Sequence, residues 1–105
     1  MSEKNLIAEA SRIVTDAFIG ILTTVDADGI PHSRWMGTSL GVEGVGRLYC
    51  LSGAKARKID QIRRNPQVTW VFTSRDYRDV VTLYGEAAIL DSPIVAQHVW
   101  DRLTA

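Results

Sequence analysis

Five β-rich runs dominate this chain, and most are joined to their sequence neighbour by a connection too short to hold a crossover. Residues 18–25 (FIGILTTV) and 30–40 (IPHSRWMGTSL) flank Asp26-Ala27-Asp28-Gly29, a turn sequence of hairpin length. Pro31 falls at the start of the second run, where a missing N–H does little harm. A glycine-rich loop, residues 41–46, leads to a third run at 47–52, and a charged connection, residues 75–79, joins runs at 68–73 and 80–90. Parallel pairing needs a dozen or more residues between strands. The spacing therefore predicts an antiparallel sheet or barrel with peripheral helices, and it argues against a doubly wound parallel sheet.

The helices are legible from their ends. Ser2 is a candidate N-cap for a helix over residues 2–17, with Leu6, Ile7, Ala10, Ile13, Val14 and Ala17 on one stripe. A short basic helix is expected over 55–64, ended by Pro66, which disfavours helical geometry at Asn65. Ser92-Pro93 is a cap followed by an N1 proline, so residues 94–103 should be helical.

With 105 residues the chain is expected to be a single domain, residues 1–105. Formal net charge is zero, which argues against a dedicated nucleic-acid binder and leaves only local electrostatics to recognise a ligand. Cys50 is the sole cysteine, so no internal disulfide can form. The N-terminal residues lack an apolar signal core, and no apolar run approaches the roughly 18 residues of a membrane helix. A cytoplasmic location without membrane or nucleic-acid partners is the expectation.

The richest stretch chemically is LYCLSGAKARKIDQIRRNP, residues 48–66. A strand-like run ends in Ser52-Gly53 and passes into a helix with Arg57 and Lys58 in its first turn. The helix dipole disfavours cations there by some tenths of a kcal/mol, and a bound anion reverses that penalty. A solvated basic face is the competing reading. Arg63 and Arg64 lie in the last turn, where the dipole alone accounts for them, so neither is assigned a ligand. The second candidate is His32-Ser33-Arg34-Trp35-Met36-Gly37. A partly buried Arg34 would need a carboxylate, phosphate or polar ring edge, and Trp35 and Met36 either flank a flat ligand or belong to the core. Gly41, Gly44 and Gly46 do not make a dinucleotide fingerprint, because a strand rather than a helix follows. His32, His98 and Cys50 have no metal-ligand spacing, and no carboxylate pair or nucleophile elbow is present. His32 and Tyr49 are available as acids or bases, but no catalytic residue is assigned, and any chemistry would come mostly from a cofactor.

Three segments together, FIGILTTVDADGIPHSRWMG, LYCLSGAKARKIDQIRRNPQVTWVF and VVTLYGEAAIL, resemble the pyridoxamine 5′-phosphate oxidase-like superfamily of FMN-binding split barrels. The chain is most similar there to the small general-stress-protein-26-type flavoproteins. The resemblance implies a mainly β fold, an antiparallel Greek-key barrel with flanking helices, here expected to lack its last strand because the sequence stops at Ala105. It implies a homodimer with FMN in clefts at the interface and a small-molecule redox substrate. By position, Arg34 and the Trp35-Met36-Gly37 backbone would line the flavin ring. Leu51 and Ser52 would meet the flavin chain, and Arg57 and Lys58 would hold the phosphate. Ala56 stands where the family has a phosphate-binding serine, a loss of about 1 kcal/mol for one net hydrogen bond. Val80 stands where pyridoxamine phosphate oxidases have a glutamine, and their C-terminal substrate-binding Arg and His have no counterpart. The expectation is an FMN-dependent oxidoreductase that does not oxidise pyridoxamine phosphate itself. The alternatives are a non-catalytic flavin-binding module, a degenerate split barrel serving as a dimeric interaction domain, and a reductase using the deazaflavin F420.

Overall fold

The computed structural model describes residues 2–38, 47–53 and 55–104. Its elements in chain order are α1 (Glu3–Ala17), β1 (Ile19–Val25), β2 (Pro31–Gly37), α2 (Arg57–Arg64), β3 (Gln67–Thr73), β4 (Val80–Glu86) and α3 (Pro93–Thr104). The four strands form one antiparallel sheet in the order β2-β1-β3-β4. Strands β2 and β3 therefore flank β1 on opposite sides, and the chain crosses between them through residues 47–53 and α2.

Alternation along the strands divides the sheet into two unlike faces. On the inner face Gly20, Leu22 and Thr24 of β1 are buried, as are Trp70 and Phe72 of β3. Leu22 pairs with Arg34 on one side and Trp70 on the other, and Trp70 pairs with Leu83, so these four form one row across the sheet. Ile13 and Val14 of α1 complete the core cluster, with Met36, Leu48, Cys50, Val81 and Leu83 packed around it. Trp70 and Phe72 stack at a 34° tilt, 5.4 Å between ring centres. The outer face is open: Ile19, Ile21, Trp35, Val80 and Tyr84 are all exposed.

Helix α1 begins as its sequence indicates, with the Ser2 hydroxyl accepting from the Asn5 N–H at 3.2 Å. Only the C-terminal half of its apolar stripe is covered; Leu6 and Ile7 are exposed. Phe18 ends the helix at φ 66°, a left-handed conformation uncommon for an aromatic residue, and turns the chain into β1. The β1–β2 hairpin closes as expected at Asp26–Gly29, with Gly29 at φ 80°. The Asp26 carboxylate accepts from the N–H groups of Asp28 and Ile30 at 2.9 and 3.0 Å.

Three strand expectations change. The second strand ends at Gly37 rather than residue 40; residues 39 and 40, like the glycines of the 41–46 loop, lie outside the described residues. The third expected strand, 47–52, keeps only an isolated bridge at Arg47. Its apolar pattern reflects burial, since Leu48 and Cys50 pack on the core, while the Tyr49 carbonyl accepts from the Thr38 hydroxyl at 3.2 Å. The last strand ends at Glu86 rather than residue 90. Pro66 explains this: its carbonyl accepts from the Ala87 N–H at 2.8 Å, but its ring nitrogen has nothing to donate, so the ladder stops.

Gly20 is the tightest point of the core. A Cβ there would sit 2.5 Å from the Val71 carbonyl oxygen and 2.8 Å from the Phe72 ring. Gly20→Ala is expected to lower unfolding stability by about 1–3 kcal/mol in denaturant titration, the usual cost of overpacking. Gly85→Ala, where nothing lies within 4 Å, should stay within about 0.5 kcal/mol of wild type.

Candidate functional site

Helix α2 meets the sheet through few contacts. Within RKIDQIRR only Gln61 and Ile62 are buried, Lys58 and Ile59 are half-buried, and the exposed residues are all charged. Its N-cap is Ala56, in extended geometry (φ −65°, ψ 144°), and no side chain caps the helix. The Ala56 N–H donates to the Gly53 carbonyl at 3.1 Å and the Ile59 N–H to the Ala56 carbonyl at 3.1 Å, which shapes a tight turn into the first helical residues.

The five cations of this region separate into two groups. Arg63 pairs with Asp91 at 3.4 Å and Arg64 with Asp60 at 3.6 Å. Lys55, Arg57 and Lys58 pair with no carboxylate among the described residues. Arg57 is exposed, whereas Lys58 is half-buried. The Lys58 ammonium acts on the Cys50 thiol, whose pKa burial pushes up and this cation partly restrains. The unpaired charges thus gather at the uncapped end of α2, where the dipole opposes them.

Arg34 has a different environment from the one its sequence context suggested. Its guanidinium turns inward along β1, donating to the Leu22 carbonyl at 3.2 Å and toward the Gln61 side-chain oxygen at 3.5 Å. Burial lowers its pKa. The same Gln61 oxygen accepts from the Thr24 hydroxyl. Its partners among the described residues are thus a backbone carbonyl and an amide, neither a carboxylate nor an anion. Gln61 and Thr24 were not singled out from sequence; the available signal was a glutamine beside Ile62 in a helix with too few apolar residues to dock by hydrophobic contact alone.

Trp35 and Met36, adjacent on a strand, face opposite sides of the sheet. Met36 packs on the core, and Trp35 is 69% exposed on the outer face, so the two cannot flank one ring together. Gly37 ends β2 beneath the Phe18 ring, which would lie 3.4 Å from an added Cβ. Leu51 is half-buried, and the exposed Ser52 hydroxyl donates only to the neighbouring Gly53 carbonyl at 3.3 Å. His32 is engaged at the hairpin, its Nε2 2.8 Å from the Asp26 carboxylate. Two open grooves, of about 460 and 340 Å³, lie near Pro66 and between Tyr49 and His98; none of the residues singled out above as flavin ligands lines either. Among the described residues no three His, Cys, Asp or Glu side chains gather as a metal site, and no helix is long and apolar enough to cross a membrane.

The four-stranded antiparallel sheet with three helices is the fold of split-barrel proteins. Residues 6–105 match the profile described as pyridoxamine 5′-phosphate oxidase, and the chain belongs to that family. Among solved structures, a conserved hypothetical protein from Mycobacterium tuberculosis is 30% identical, with a TM-score of 0.76 over 99% of this chain and 65% of that one. The chain thus spans about two thirds of that relative's length. A Clostridium acetobutylicum protein related to general stress protein 26 of B. subtilis superposes at TM-score 0.80, with 16% identity over 94% of this chain and 69% of that one. A pyridoxamine 5′-phosphate oxidase-related, FMN-binding protein from Nostoc punctiforme superposes at 0.67, with 21% identity over 93% and 55% of the two chains. A search of curated protein sequences returned no match.

Two outcomes follow from this geometry. Ala56→Ser places a hydroxyl at a vacant N-cap and should raise stability by about 0.5–2 kcal/mol in denaturant titration without any ligand. The Asp26 carboxyl is held below the usual Asp range, first by the His32 ring hydrogen bond and then by the Ile30 N–H. A lowered folded pKa gives stability that is present above the unfolded value, about 3.9, and lost as pH falls through the folded one. Asp26→Asn should therefore be less stable than wild type at neutral pH. The difference should close as unfolding is followed below the ordinary Asp range.

Proposed function

We propose that this chain is an FMN-binding flavoprotein of the oxidoreductase type. The observation that carries the reading is the charge sorting on α2: its C-terminal arginines are neutralised by Asp60 and Asp91, while Arg57 and Lys58 pair with no carboxylate among the described residues and sit at an uncapped helix start. Two cations held where the dipole disfavours them suit a dianionic phosphate, which accepts from the side chains and from free helix N–H groups together. The donor set fits FMN better than riboflavin or a carboxylate ligand, since the charge is concentrated at one end. The Nostoc punctiforme relative, an FMN-binding protein of the same fold, supports the same ligand.

In this reading Arg57 and Lys58 bind the phosphate, Ser52 and Leu51 lie along the flavin side chain, and the strand from Arg34 to Gly37 offers its backbone to the ring. Arg34 acts through its hold on the Leu22 carbonyl, which keeps β2 fixed against β1. Bound flavin would supply electron or hydride transfer to a small-molecule substrate. The chain is proposed to work as a homodimer with the flavin at the interface. The exposed apolar side chains of the outer face, Ile19, Ile21, Trp35, Val80 and Tyr84, support association with a second copy there.

The test is a titration of purified protein with FMN and with riboflavin, read by flavin absorption and fluorescence. Wild type should bind FMN more tightly than riboflavin. Arg57→Ala with Lys58→Ala should weaken FMN by at least about tenfold per cation, since a hydrogen bond to a charged group contributes about 1.5–3 kcal/mol, and leave riboflavin nearly unchanged. No FMN binding by wild type, or equal losses for both flavins, contradicts the proposal. Bleaching of the bound flavin by NADH or NADPH distinguishes an enzyme from a flavin store.

A further inference from the structure

Gln61 ties the two halves of the site together. It is 8% exposed, on the second turn of α2, and its side-chain oxygen accepts from Thr24 on β1 and faces Arg34 on β2. Thr24 is fully buried, and Arg34 also spans to the Leu22 carbonyl. A guanidinium can only donate, which fixes the amide orientation: oxygen toward Arg34 and Thr24, NH₂ away. Three successive elements, β1, β2 and α2, thus meet at one oxygen.

The consequence for α2 is specific. Of its two buried residues, Ile62 makes non-directional apolar contact, so the directional bond that sets the rotation and height of this eight-residue helix on the sheet comes from Gln61. Arg57 precedes Gln61 by four residues and Lys58 by three, so both side chains lie one turn before it on the same side of the helix. A small rotation of α2 about a lost Gln61 contact would carry both cations and the helix N–H groups away from the strand that holds Arg34. Buried polar partners left unpaired are costly, so the three groups hold one another in a single arrangement.

We propose that Gln61 is a positioning residue for phosphate recognition: through Thr24 and Arg34 it locks the cationic start of α2 in register with β2, and so sets the preference for a phosphorylated flavin. This rests on the FMN reading above and adds a role for a residue that would not touch the ligand.

The experiment measures the ratio of FMN to riboflavin affinity in wild type and three variants, alongside the unfolding midpoint of each. Gln61→Leu removes the acceptor, Thr24→Val removes one donor at nearly constant volume, and Gln61→Glu keeps an acceptor for both donors. Wild type must favour FMN; if it does not, the FMN reading itself is overturned and this inference with it. Given that preference, Gln61→Leu should reduce the ratio by tenfold or more, Thr24→Val should reduce it several-fold, and Gln61→Glu should retain it. A merely structural glutamine would lower the unfolding midpoint and leave the ratio unchanged, and that result overturns the inference. If Gln61→Leu does not fold, the decision passes to Thr24→Val: a preserved ratio in that variant overturns the inference equally.

Discussion

The inner face of β1 registers everything else in this molecule. Its three inward positions differ in kind: Gly20 has no side chain, Leu22 is apolar and Thr24 carries a hydroxyl. The empty position admits the Phe72 ring, which no larger residue would allow. The apolar one joins the α1 residues Ile13 and Val14 in the core. The hydroxyl binds Gln61 and so receives α2. Because β1 also pairs with β2 and β3, a shift of one residue in its register would turn all three positions to the outer face at once.

That arrangement explains how a short crossover helix is fixed on the sheet. Helix α2 buries only Gln61 and Ile62, and Arg57 and Lys58 at its start pair with no carboxylate among the described residues. The sheet supplies the constraint through a polar hub on its inner face, while the outer face carries exposed apolar side chains among threonines and serine. The two faces of the sheet thus differ: the inner one fixes the geometry of α1 and α2, and the outer one stays exposed.

Local chemistry was the most readable layer of the sequence. The Asp26–Gly29 turn, the Ser2 cap and the Ser92-Pro93 helix start each need only neighbours in sequence to form, and each formed where the residues indicated. Less was legible where the outcome depended on distant partners. Leu48 and Cys50 have the apolarity of a strand because they pack on the core, yet a carbonyl there bonds a threonine hydroxyl instead of a ladder. The end of β4 is set by Pro66, which lies across the β3–β4 hairpin from it. The last-turn cations set aside by helix position, Arg63 and Arg64, are the ones that pair with carboxylates, Asp91 and Asp60. The inward turn of Arg34 and the Thr24–Gln61 contact were not readable, because a strand's facing and a glutamine's partner are both decided by the assembled sheet.

Arg57 and Lys58 are proposed to make a phosphate site at the start of α2. The ³¹P resonance of FMN, followed across pH with the protein in excess, tests it most directly. A phosphate ester loses its second proton near pH 6 in water, and two adjacent cations favour the dianion. The bound phosphate should move away from the free resonance and titrate at lower pH than free FMN, with both effects lost in the Arg57→Ala, Lys58→Ala protein. A phosphate signal that keeps the free position and the free titration curve while the flavin is bound would contradict it.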